Sequence, residues 1–159
     1  MSRLIKQIRL FEELLAALQA HFPEHDLEGH GVPADDLFIT IPADGLRAAV
    51  SILLEDFDLL HLSTITGQIR EENIELLYHF WDRHGVTLRV LLPKDTPTSA
   101  SLTDLIPGAD FYEREIWEML GVTFEGHPDL RPLLMPDDWQ GEHPLGPENS
   151  EVQEEKNNA

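Results

Sequence analysis

The sequence predicts an α+β domain of two layers, with helices packed on one face of a mostly antiparallel sheet and an extended proline-rich strap at its C-terminal end. Three observations carry this reading. Helix-period and strand-period stretches follow one another in the order helix, strand, helix, three strands, helix. A turn at Arg83-His84-Gly85 separates two apolar runs as a hairpin would. Between Phe124 and Leu145, after the last helix, four prolines and two glycines interrupt a stretch that is still rich in large apolar residues. A chain of 159 residues is long enough to bury a core, and residues 1–147 read as one domain.

The elements follow in order. Ile5, Ile8, Leu15 and Leu18 lie on or near one helical stripe that ends before Pro23. Arg3, Lys6 and Arg9 make this start basic, but Glu12 and Glu13 break the apolar region a signal peptide needs. It therefore reads as an amphipathic helix of a cytoplasmic protein, with residues 1–30 as an N-terminal helix and linker. His21 to Asp36 is a His/Gly/Asp-rich connection. Leu37-Phe38-Ile39-Thr40-Ile41 is a compact β-type run closed by Pro42. Asp44 opens a second helix, Gly45 to Asp56, with Leu46, Val50, Leu53 and Leu54 inward. His61 to Arg70 alternates as a strand, Leu62, Thr64 and Thr66 against Ile65 and Ile69. Ile74 to His84 fits either period; the following turn and Val86 to Leu92 favour two antiparallel strands. Pro93 to Pro107 is a Thr/Ser/Pro loop with a short helical turn near Leu102 to Ile106.

The stretch from residue 109 to 147 begins as a helix, Asp110 to Leu120. Tyr112, Ile116, Met119 and Leu120 share one apolar face, while Glu113, Arg114, Glu115 and Glu118 crowd the remainder. Arg114 and Glu118 are spaced for a pair one turn apart, and Asp110 stands where a carboxylate caps free N–H groups. Gly121 follows as the helix-ending glycine. Pro128, Pro132, Pro136 and Pro144, with Gly126 and Gly141, then forbid a long helix or a central strand. Phe124, Leu130, Leu133, Leu134, Met135, Trp139 and Leu145 are too apolar for a solvated tail. Such a strap must lie on its own domain or on a partner. Residues 148–159 carry acidic and amide side chains with nothing apolar after Val152, and read as a disordered tail.

Composition excludes several function classes. Without cysteine there are no disulfides, no thiolate-held zinc and no usual ligands for an iron–sulfur cluster. The formal net charge is −19, from 30 Asp+Glu against 11 Lys+Arg, which leaves no basic surface for nucleic acid. An anionic membrane surface repels such a chain; a basic partner surface is compatible with it, and a charge that serves solubility alone is equally so. Every apolar run stops well short of the ~20 residues that cross a bilayer.

No active site emerges from spacing. His21, His25 and His30 are interrupted by Pro23 and Gly29. His127, Asp129 and His143 lack a His-Glu-x-x-His frame, and both histidines precede proline. Glu113, Glu115, Glu118 and Asp110 have no histidine at the position a di-metal helix requires, and read as a charged helix face. Nor is there a phosphate-binding glycine loop or a nucleophile elbow. The competing reading is a stand-alone acid–base enzyme using Glu115, Glu118 or the histidines, which turnover by the isolated chain would reveal.

The run ADFYEREIWEMLGVTFEGHPDLRPLLMPDDWQGEHPL closely resembles the signature of the C-type subunit family of NADH–quinone oxidoreductase, respiratory complex I. The shared elements are Glu113-Arg114-Glu115, Gly121-Val122-Thr123-Phe124, Gly126 to Arg131, and His143-Pro144-Leu145. Weaker similarity reaches back to about Leu37 and includes Ser101-Leu102-Thr103-Asp104. The resemblance implies a non-catalytic structural subunit of the hydrophilic arm, held on the cytoplasmic side of the membrane through its complex. Such subunits brace the neighbours that carry iron–sulfur clusters and shape the quinone site. They bind no cofactor themselves, although the assembled enzyme uses NADH, flavin, clusters and quinone and translocates protons. Energy-converting hydrogenases and dehydrogenases with other electron donors contain related chains. Partner contacts are expected at Glu113, Arg114, Glu115, Phe124, His127, Asp129, Leu130, Arg131, Leu134, Trp139 and His143. Two departures from the family remove positive charge from the strap: Pro132 stands where a second basic residue is common, and Gly146-Pro147-Glu148 follows where basic residues often continue. Apolar flanks predict that Arg114 and Arg131 are both buried in ion pairs, Arg114 with Glu118, and Arg131 with Asp129 or a partner's carboxylate.

Overall fold

The computed structural model describes residues 3–32, 36–82, 84–139 and 141–147. Its helices are α1 (Arg3–His21), α2 (Leu46–Glu55) and α3 (Ala109–Leu120). Its strands are β1 (Gly29–Val32), β2 (Asp36–Thr40), β3 (Leu62–Arg70), β4 (Asn73–Asp82), β5 (His84–Pro93), β6 (Thr98–Ala100) and β7 (Thr123–Glu125). Five strands form one sheet in the order β1-β2-β5-β4-β3, and β6 pairs with β7 in a small second sheet. β1 runs antiparallel to β2, with Gly29 opposite Ile39 and Val32 opposite Asp36. β2 runs parallel to β5, from Asp36 opposite Gly85 to Thr40 opposite Arg89. The α+β class and the mostly antiparallel sheet are as the sequence predicts, and the β2–β5 pair makes the sheet mixed. The chain divides into two compact units, residues 1–64 with 77–90, and residues 65–76 with 91–159.

In the first unit α1 packs on α2. Its stripe is shifted from the expected one: Leu14 and Leu18 are fully buried and Ile8 is exposed. Leu15 instead meets the backbone of Gly29, where an added Cβ would stand 3.1 Å from its methyl groups. Gln19 fastens the loop that follows, its Oε1 accepting the Leu27 N–H at 3.0 Å and its Nε2 donating to the Phe22 carbonyl at 3.1 Å. β1 lies inside the segment expected to be a plain connection. Gly29-His30-Gly31-Val32 has no alternation to mark it, and it becomes a strand because β2 offers it an edge. α2 is preceded by a 3-10 turn, Ala43–Gly45, which holds Asp44, and no side chain caps the helix. Its buried residues are Leu46, Ala49, Val50 and Leu53, and Tyr78 and Phe80 of β4 and Val86 and Leu88 of β5 are buried in the same unit.

The second unit buries Ile65, Ile74, Leu76, Leu92, Leu102, Ile116, Leu120, Val122 and Phe124. Close approach of α3 to β3 depends on Gly67, where a Cβ would fall 2.5 Å from Leu120. The expected turn near Leu102 is present, with the amides of Leu105 and Ile106 both donating to the Leu102 carbonyl. β6 is a strand the loop composition hid; it exists because β7, just past α3, runs parallel to it from Thr98 opposite Thr123 to Ala100 opposite Glu125.

Candidate functional site

α3 has three buried charged residues, Glu113, Arg114 and Glu118, which the helical wheel assigned to the polar remainder. Burial of charge requires partners. Here the partners are backbone groups of the segments before and after the helix, together with the Ser101 hydroxyl and the Asp110 carboxylate.

Glu113, wholly buried, accepts the Ser101 Oγ–H at 2.7 Å on one oxygen and the Leu102 N–H at 2.7 Å on the other. It thereby fixes the start of the Leu102 turn. Burial pushes its pKa above the usual carboxylate value; the two hydrogen bonds and nearby His127 pull it back, and the charge of Asp110 adds to the rise.

Arg114 reaches the strap. Its Nε donates to the Arg131 carbonyl at 3.2 Å and its Nη2 to the Pro132 carbonyl at 3.0 Å. Its ion pair is with Asp110, one turn back, at 3.6 Å, rather than with Glu118. Asp110 is no cap either; the helix N-terminus at Gly108 has no side-chain cap. The carboxylate of Glu118 has a different task. It accepts three successive amides of the strap, Leu133 at 3.1 Å, Leu134 at 2.7 Å and Met135 at 3.0 Å. Desolvation pushes the Glu118 pKa up, but those three N–H groups and the charge of Arg114 outweigh it, and the net shift is downward.

Two histidines complete the attachment. The His127 ring is entirely buried, and its Nδ1 accepts the Asp129 N–H at 3.0 Å. With Nδ1 accepting, the other ring nitrogen, Nε2, faces the Asp110 carboxylate at 3.4 Å without forming a hydrogen bond. His143 donates from Nδ1 to the Glu118 carbonyl at 3.0 Å, and the Leu145 amide donates to the Met119 carbonyl at 2.8 Å. The strap thus satisfies carbonyls that the last turn of α3 leaves open. Gly121 ends the helix in the left-handed region at φ 78°, as expected, and His143 packs directly on it, 2.7 Å from where a Cβ would stand.

The strap is anchored through its backbone and leaves apolar side chains outside. Leu134, Trp139 and Leu145 are 58%, 48% and 54% exposed. Among the expected contact residues, Glu113, Arg114 and Phe124 are buried, and His127 and His143 act as internal ties. Glu115, Asp129, Arg131, Leu134 and Trp139 face outward, and Leu130 is half-buried. Arg131 corrects the expectation: it pairs with Asp129 at 3.0 Å with both side chains mostly exposed. Ser101 and Asp110 belong to the site and were not foreseen in these roles, since nothing in their local sequence signals a partner on the far side of the helix. No group of three His, Asp or Glu side chains that could hold a metal occurs among the described residues. Glu113 is sealed against its two donors, so the arrangement is built to hold and display a strap.

A family model described as "Respiratory-chain NADH dehydrogenase, 30 Kd subunit" matches residues 39–153. The C-type subunit of NADH-quinone oxidoreductase from Roseiflexus castenholzii is 37% identical over 140 residues, covering 83% of this chain and 79% of that one. The C/D-type subunit of the same enzyme from Methylococcus capsulatus is 50% identical over 120 residues, covering 66% of this chain and 20% of that longer one. In three dimensions the chain is similar to Nqo5, in its trypsin-resistant fragment, with a TM-score of 0.61 and 26% identity over 76% of this chain and 99% of that one. With the matched region spanning α2, β3 to β7, α3 and the strap, this chain belongs to the family of the respiratory-chain NADH dehydrogenase 30 Kd subunit, the C-type subunit family of NADH-quinone oxidoreductase.

Proposed function

We propose that the chain is a non-catalytic structural subunit of the hydrophilic arm of a membrane-bound NADH–quinone oxidoreductase. Its task is to brace the neighbours that carry iron–sulfur clusters and shape the quinone site, on the cytoplasmic side of the membrane. NADH, flavin, clusters and quinone belong to those neighbours, and the chain adds rigid positioning. One observation carries the reading: Glu118 and Arg114 lock the strap backbone while Leu134, Trp139 and Leu145 stay exposed, which is how a domain presents a docking surface. The relative of C/D type, only a fifth of which this chain matches, supports a D-type neighbour. No described helix is long and apolar enough to cross a membrane, so attachment to one runs through partners.

Affinity purification of the tagged chain from solubilised membranes tests the proposal. The expected result is a large complex with NADH–quinone activity, containing cluster-bearing subunits. A chain recovered alone, or one that turns over a substrate by itself, overturns it.

A further inference from the structure

Between the last turn of α3 and the strap lies a cleft of about 210 Å³. Trp117 and Trp139 line it, with Met135 and Pro136, and Asp137 and Glu142 supply its carboxylates. At ~30 Å³ per water this is room for about seven waters, or one long side chain.

Trp139 is half exposed yet held on three sides. Its amide donates to the Pro136 carbonyl at 3.0 Å and its indole Nε1–H to the Glu142 carbonyl at 3.1 Å. Its ring lies on Gly141, 2.5 Å from where a Cβ would stand, so only glycine admits this placement. Trp117 is set by edge-on contact with His143, which is itself tied to the Glu118 carbonyl. Both indoles are therefore in place before anything binds, and ordering them costs the bound state little.

The charge around them selects the occupant. Asp137 and Glu142 line the cleft, Asp138 is their exposed neighbour, and Glu118 contributes a carboxylate whose oxygens are taken by three amides. The chain as a whole carries −19. An anion is repelled here, and a purely apolar side chain makes no use of the exposed carboxylates of Asp137 and Glu142. A guanidinium meets both demands, its flat face on an indole and its donors toward the carboxylates. An ammonium is smaller and more strongly hydrated, and stacks poorly.

We infer that this cleft receives an arginine side chain from an extended segment of the neighbouring subunit against which the strap docks. The inference rests on the subunit reading above. It makes Trp139, Asp137 and Glu142 determinants of partner choice, whereas Glu118 and Arg114 only shape the strap.

The test is made in the assembled complex. A photo-cross-linking amino acid at position 138, on the rim, is irradiated in membranes carrying the full tagged chain, and the cross-linked peptide is identified by mass spectrometry. A segment of another subunit with an arginine within a few residues of the cross-link is expected. In that background, Asp137→Asn with Glu142→Gln, and separately arginine→lysine in the mapped segment, should each weaken retention of the chain on the order of tenfold. An intact complex whose cross-link falls on a segment without arginine, or on no other subunit, overturns the cleft assignment and leaves the subunit reading standing. Retention unchanged by both substitutions overturns it too. A tagged chain recovered without partners sinks both.

Discussion

At the scale of single residues, the difference between Glu118, Arg114 and Arg131 is one of environment rather than type. Alanine at Glu118 leaves three strap amides without their acceptor, and alanine at Arg114 leaves two carbonyls and a carboxylate unmatched. Each is expected to lower unfolding stability by about 3 kcal/mol. Arg131→Ala breaks only an exposed pair and should stay within about 1 kcal/mol. Urea denaturation of the three variants checks the ranking; equal losses would contradict it. The acids of α3 also respond oppositely to pH. Glu118, held below its ordinary value of 4.5, contributes stability that is present above 4.5 and lost as pH falls through its lowered pKa. Glu113, pushed above 4.5, contributes stability that is present below 4.5 and lost as pH rises through its raised pKa. The penalty of Glu118→Gln should therefore shrink on acidification below 4.5. That of Glu113→Gln should shrink as pH climbs from 4.5. Denaturation midpoints across an acid series read both slopes, and slopes of the same sign would refute the assignment.

At the scale of elements, α3 and the strap form one unit in which each completes the other. The helix end depends on Gly121, which combines a left-handed φ of 78° with contact against His143. Alanine there should cost about 2 kcal/mol through backbone strain and displacement of the histidine. Gly108, at the other end of α3, has φ −66° and open space around it, so Gly108→Ala is expected to be neutral or stabilising by about 0.5 kcal/mol. Comparable losses at both positions in thermal melts would argue against the contact with His143. Truncation separates strap from tail. A chain ending at Pro147 keeps every strap bond described and should retain its melting temperature and enter its complex. A chain ending at Glu125 also loses the backbone partners of Arg114 and Glu118, leaving two buried charges bare, and should be recovered mostly unfolded or degraded. Soluble yields and native gels distinguish the outcomes.

At the scale of the whole molecule, Arg131→Ala separates assembly from chemistry. Its side chain is outward and barely contributes to the isolated fold, so a scaffold role predicts less assembled complex in the membrane with normal turnover per complex. Full assembly with collapsed turnover would point to a catalytic role instead. Much of this molecule was legible from local pattern. The period of the apolar residues identified α1, α2 and α3, the run Leu37 to Ile41 identified β2, and the two apolar runs after it identified β4 and β5; of the turn expected between those runs, Arg83 lies outside the described residues and His84 and Gly85 belong to β5. Gly121 marked the end of α3, and the motif from Glu113 to Leu145 pointed to the family. These features are encoded within a few residues of where they act. Tertiary structure alone made strands of Gly29–Val32 and Thr98–Ala100, which have no strand period and depend on the edges β2 and β7 offer them. It also buried Glu113, Arg114 and Glu118. On a helical wheel they are polar residues; their burial depends on the Ser101 hydroxyl and the Leu102 amide on one side and on backbone groups of residues 131–135 on the other. A charge is admitted to the interior only where such partners meet it, and that meeting is a property of the folded chain.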